Sequence, residues 1–164
     1  MNEKVFRTLE FDKILSKLEG YAVSPMGKEM ATELRPSAEV YEINKWQNET
    51  SDAYAMIMRK GNIPLGGLHE IRPQIKRVSM GGCLGIDELM NIGEFLYVCR
   101  KVKNYSINEN KDENYPYISE FFEIIMPLTR LEKGISRVII SETEISDDAS
   151  PDLGSIRREI KVSN

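Results

Sequence analysis

Apolar residues near the start of the chain, Val5, Phe6, Leu9, Ile14, Leu15, Leu18 and Tyr21, keep largely to helical spacing. They predict an amphipathic helix, or a short helix leading into one, with Gly20 allowing its end to fray. Ser24-Pro25 reads as N-cap and first position of a second helix, and the Arg35-Pro36 step closes it because a residue before proline disfavours helical angles. Ser37 is expected to cap a third helix. Its stripe runs through Val40, Ile43, Trp46, Thr50, Ala53, Tyr54 and Ile57 to Gly61, with Glu39 at the positive end of the helix dipole and Arg59 and Lys60 at the negative end.

From Pro64 to Leu96 two glycine pairs, Gly66-Gly67 and Gly81-Gly82, flank Pro73. Glycine permits backbone angles closed to other residues, and proline fits the first turn of a short helix, so a compact helical corner is predicted with these glycines as its structural turns. Ile86 to Lys103 carries Leu89, Ile92, Phe95, Leu96 and Cys99 on one helical face. Asn104 to Asn114 lacks apolar period and reads as an exposed loop before a short helix, about Tyr117 to Ile125, bracketed by Pro116 and Pro127. Leu131 to Ile140 suits a further helix, and Val138 to Ile145 has enough β-branched residues for a short strand or hairpin. Ser150-Pro151-Asp152 is a strong helix start, and Leu153, Ile156 and Ile160 begin a pattern with no stop signal, so the chain is expected to be a fragment of a longer protein. These elements give a mainly α fold, an irregular helical bundle with a possible hairpin.

Charge narrows the functional classes. With 22 basic and 26 acidic residues the net charge is -4, which denies the chain the global positive field of a generic DNA binder. Residues 106 to 150 hold ten acids against four bases and should repel phosphate. Cys83 and Cys99, sixteen apart, lack the second pair that a zinc knuckle needs and are expected to be buried free thiols. No signal peptide or membrane-spanning run is present, which predicts a cytoplasmic, reduced setting, and Asn48-Glu49-Thr50 and Asn104-Tyr105-Ser106 are then accidental glycosylation patterns.

The chain has no phosphate-cradling glycine loop. His69 is the sole histidine, and Pro73 stands where a zinc-protease motif would place a second, so a helix-capping or interface role is expected. Glu142/Glu144 and Asp147/Asp148 have spacing suited to a cation or to acid–base work, but acidic loops are common. With one histidine, neither a Ser-His-Asp nor a Cys-His arrangement is supported, and the fragment is not expected to be an enzyme; no catalytic, cofactor or metal residue is assigned. The methionines, including Met56, Met58, Met80 and Met90, are expected to fill the core. Lys76, Arg77, Arg100, Lys101 and Lys103, joined at the far end by Arg157, Arg158 and Lys161, are the candidate phosphate contacts, with solvated helix surface the commoner role for the first five and less so for the last three.

FRTLEFDKILSKLEGYAVSPMGKEMATELRPS (Phe6 to Ser37), the Pro64 to Leu96 corner and DDASPDLGSIRREI (Asp147 to Ile160) occur in an order that resembles the start of the type-two MutS proteins, the repair and recombination-control branch of the MutS ATPases. Gly85 departs from the serine usual before the helix, and Thr143-Glu144 from a glycine-containing turn. The resemblance implies that residues 1–149 form a helical lever/core domain and 150–164 the truncated start of a clamp helix. It implies a dimeric parent that binds ATP and magnesium in a C-terminal domain, often carries a Smr nuclease domain, and acts on branched DNA or stalled ribosomes; this fragment would couple nucleotide state to the clamp. Phe121-Phe122-Glu123 contains the Phe-x-Glu pattern of mismatch reading, but that pattern belongs to a domain the type-two branch lacks, and Phe121, Phe122 and Ile125 are expected to pack inward. The alternative is a free-standing helical adaptor that binds a protein through its Met-rich or aromatic surface.

Overall fold

The computed structural model describes residues 8–107 and 114–163. The positions of Val5 and Phe6, and most of the expected 104–114 loop, lie outside that range. The described residues form eight helices: α1 Phe11–Tyr21, α2 Pro25–Glu33, α3 Val40–Lys60, α4 Arg72–Ser79, α5 Ile86–Tyr105, α6 Pro116–Glu123, α7 Thr129–Val138 and α8 Pro151–Ser163. Between α7 and α8 lie β1 Ile139–Ser141, β2 Glu144–Ile145 and a 3-10 turn at Asp147–Ala149. The strands are antiparallel, pairing Ile139 with Ile145 and Ser141 with Glu144. The mainly helical bundle with a small hairpin is thus the observed fold. Among the described residues no helix is long and apolar enough to cross a membrane.

Local chemistry sets most boundaries. Ser24 Oγ accepts from the Gly27 N–H at 3.0 Å, and Pro25 opens α2 as its spacing predicts. Glu10, with φ 52°, breaks the chain into α1, so the first stripe does not continue unbroken from Leu9. Ser37 does not cap α3 as expected: Glu39 holds the N-cap position, while Ser37 Oγ accepts from the Glu39 N–H at 3.1 Å and donates to Glu42 at 2.5 Å. Its hydroxyl ties down the approach to the helix instead. At α5, Gly85 has no side chain to cap with, and only Glu88 reaches back, accepting from the Gly85 N–H at 3.0 Å.

The glycine pairs divide by cause. Gly81 has φ 81° and ends α4 in a Schellman motif: its N–H donates to Val78 O at 2.9 Å, and the Gly82 N–H donates to Arg77 O at 3.0 Å. Gly82 is required by space, since a Cβ there would lie 2.6 Å from Arg77 Cγ. Gly67 has φ 88°. Gly66 sits in the same turn with neither a positive φ nor a neighbour within 4 Å, so the backbone imposes no need for glycine there.

Met56 of α3, Val98 and Val102 of α5, and Tyr115 and Phe122 at α6 form the core, with Ile63, Leu65, Leu68 and Tyr105 packed against it. The expected inward stripe of α3 holds in part: Ile43, Ala53 and Ile57 are half-buried, but Val40, Trp46, Thr50 and Tyr54 are exposed, and Asp52, Met56 and Lys60 join the inner line. Its polar members face in because they hold other elements. Asp52 Oδ2 accepts from the Tyr117 N–H at 2.8 Å, capping α6, and Lys60 Nζ donates to Tyr105 O at 3.1 Å and Ile107 O at 2.9 Å. Other expectations also fail. Phe121 is exposed beside buried Phe122, because two adjacent residues on a helix cannot share a face; Met58 and Met80 are exposed, and so is Cys83, which lies on the outer loop after α4. Cys99 is half-buried, and burial pushes its thiol up.

Gly81→Val should cost about 1–3 kcal/mol in urea unfolding, because a β-branched residue is strained at φ 81°. Met56→Ala, at a side chain 1% exposed, should cost about 2–5 kcal/mol.

Candidate functional site

Basic side chains were the sequence's best functional candidates, and the structure sorts them by partner. Arg77 Nη1 donates to both Glu88 oxygens, at 2.7 and 2.8 Å, binding α4 to α5. Lys103 Nζ donates to Phe122 O at 2.7 Å, where α6 ends and its carbonyls need donors. Lys101 lies over the Tyr97 ring, 5.2 Å from its centre. Arg100 forms a two-point pair with Glu132 of α7, both bonds at 2.8 Å. Arg77, Arg100 and Lys103 thus join one helix to another, whereas Lys101 packs on a ring of its own helix.

Glu132 is the one buried charged residue among those described, and sequence reading missed it. Its signal was present: Leu128, Glu132, Ile135 and Ile139 fall at helical spacing, so an apolar line has an acid in the middle of it. The Arg100 hydrogen bonds hold its carboxyl below the usual carboxylate range against the opposing effect of burial. His69 Nε2 lies 2.5 Å from Glu94 Oε2, joining the glycine corner to α5. Glu70 is held down to about 2 by its hydrogen bonds with Arg72, whose guanidinium also reaches Glu29 of α2 at 2.8 Å.

Arg157, Arg158 and Lys161 lie in the second half of α8, within four residues of one another. Ser150 Oγ accepts from the Leu153 N–H at 3.1 Å, so the helix begins as Ser150-Pro151 predicts. Arg157 Nη1 then reaches back to the preceding segment, donating to Ile145 O at 2.7 Å and Asp147 Oδ1 at 2.5 Å. One guanidinium thereby ties α8 to both β2 and the 3-10 turn. The Arg157 hydrogen bond, with the charges of Arg157, Lys161 and Arg158 behind it, keeps the Asp147 carboxyl below its ordinary range. Arg158 Nε donates to Gly154 O at 2.9 Å, within its own helix. Ile156, Ile160 and Val162 stand exposed along α8. Of the acid pairs, Asp147 serves this latch, and among the described residues no group of three His, Cys, Asp or Glu side chains could hold a metal ion.

No family model matches the chain. It is 45% identical to the endonuclease MutS2 of Ruminiclostridium cellulolyticum over 162 residues, which cover 98% of this chain and 20% of that protein. It is 40% identical to the endonuclease MutS2 of Alkaliphilus oremlandii over 164 residues, 100% of this chain and 21% of that protein, and 39% identical to that of Clostridium perfringens with the same coverage. The chain belongs to the MutS2 family. It spans about a fifth of the length of the MutS2 relatives it matches. Because the likeness runs from the first helices through α8, the latch and the helical bundle lie together inside one stretch of MutS2-type sequence.

The Arg100–Glu132 pair sets an acid-side test. A carboxyl whose folded value is depressed adds stability above its unfolded value, about 4.3, and that stability is lost as pH falls below about 4 towards the folded value. Urea midpoints between pH 7 and 3 should therefore fall less steeply for Glu132→Gln than for the unaltered chain. An identical acid limb would show that the pair carries none of this dependence.

Proposed function

We propose that this chain is the non-catalytic N-terminal core of a MutS2-type protein acting in DNA repair or recombination control. In this reading residues 1–149 are the lever and core, and 150–164 begin a clamp helix that closes on DNA or on the ribosome. ATP and magnesium bind elsewhere in the parent, which dimerises and carries the ATPase and any Smr nuclease. The matched relatives, named as endonucleases, support the setting. The observation that carries the coupling role is the Arg157 latch. It joins α8 to the hairpin, the hairpin follows α7 directly, and α7 is paired to central α5 through Glu132, so motion in the bundle reaches α8 through contacts and not through a slack linker.

The test uses the full-length parent. Arg157→Ala should leave basal ATP hydrolysis within about twofold while abolishing most of its stimulation by branched DNA, since the latch lies outside the nucleotide site. Unchanged stimulation would overturn the coupling role.

The chain on its own has a net charge of -4 and should bind duplex DNA only weakly, with a dissociation constant above about 1 µM at physiological salt in a fluorescence titration. Salt-sensitive binding below that value would contradict this.

A further inference from the structure

A cleft between α3 and α6 carries chemistry that neither the core nor the latch uses. Its volume is about 360 Å³, and it is lined by Tyr41, Asn44, Lys45 and Asn48 of α3 and by Tyr117 and Glu120 of α6. The α3 residues recur at helical spacing and so share a face. The α6 wall is fixed to α3 through its backbone, because Asp52 accepts from the N–H groups of Tyr117, at 2.8 Å, and Ile118, at 3.4 Å. Tyr41 is 81% exposed and Tyr117 45%. Lys45 is held only loosely, 3.8 Å from Glu49. Among the described residues, the amides of Asn44 and Asn48 make no hydrogen bond.

This set is two aromatic rings, two amides with donors and acceptors to spare, one carboxylate and one ammonium. A planar ring with several hydrogen-bonding groups on its edge satisfies it. We propose that the cleft binds an unpaired nucleobase, stacked on the tyrosines and read at its edge by Asn44, Asn48 and Glu120, with Lys45 towards the attached phosphate. Amides pair with an adenine edge and a carboxylate accepts from exocyclic amino groups, while every base offers a face for stacking. Glu120 disfavours a phosphate backbone threaded through the cleft, so recognition rests on the base and depends little on salt. A duplex keeps its bases stacked and cannot fill the site without losing pairing. The proposal rests on the nucleic-acid reading above and adds the form of the ligand: single-stranded or flipped-out, as branched DNA presents at its junctions.

The test is a nuclear magnetic resonance titration of the isotope-labelled chain with adenosine, guanosine, a single-stranded octanucleotide and its duplex. Amide shifts should be confined to α3 near Tyr41 to Asn48 and α6 near Tyr117 to Glu120, and the single strand should bind more tightly than the duplex. Tyr41→Ala should weaken the single strand about fivefold or more, with helix content unchanged by circular dichroism. Equal response to duplex, shifts centred on Arg158 and Lys161, an unchanged Tyr41→Ala, or no response at about 5 mM nucleoside would each overturn it. So would shifts in the cleft produced by a proline- and tyrosine-containing peptide but by no nucleoside. A parent whose ATP hydrolysis ignores DNA would defeat the coupling role yet leave the nucleoside shifts in place, so the two failures are distinguishable.

Discussion

Helix α5 is held from two sides, and the rest of the bundle depends on both contacts. On one side Val98 and Val102 enter the core with Met56 and Phe122. On the other, Gly93 lets α7 come close: a Cβ at that position would lie 3.2 Å from Ile135 Cγ2, tighter than ordinary packing allows. A helix enclosed this way cannot keep a single apolar stripe, and this is why its sequence carries apolar residues around much of its circumference. Tyr97, between the two contact faces, is left outside with Arg100 and Lys101 against its ring.

Buried and half-buried polar groups are placed where helices end. Lys103 supplies the carbonyls at the end of α6, Asp52 supplies the amides at its start, and Tyr105 donates to Gly61 O at 2.7 Å where α3 stops. Each removes an unsatisfied backbone group that would otherwise need water. The short helices of this chain are thereby fixed by neighbours and depend little on their own length, which is too small to be stable alone in water.

The sequence revealed helix positions more reliably than helix faces. Ser24-Pro25, Ser150-Pro151 and the Gly81 turn were legible because each is a local solution to a local backbone problem. The inward line of α3 was legible only in part, at Ile43, Ala53 and Ile57, since Asp52 and Lys60 face inward for partners at Tyr117 and Tyr105, far off in sequence. Phe121 and Phe122 show the same limit, for two adjacent phenylalanines do not declare which of them is buried. Among candidate residues, Arg157 was singled out for its charge, but its tie to Ile145 O and Asp147 depends on the course of the hairpin, which no spacing rule encodes. Glu132 left a trace in its apolar line, whereas the cleft lined by Tyr41 and Tyr117 exists only because α6 returns to α3.

Arg157 also fixes where α8 can pivot. It lies in the second turn, so the helix is anchored there by hydrogen bonds, while Ile160 and Val162 beyond it stand exposed. Each further turn of helix adds about 5.4 Å of arm beyond such a fulcrum. A displacement too small to break the core contacts of α5 and α7 would thus be geared up into a large sweep at the far end of any long helix continuing from this one.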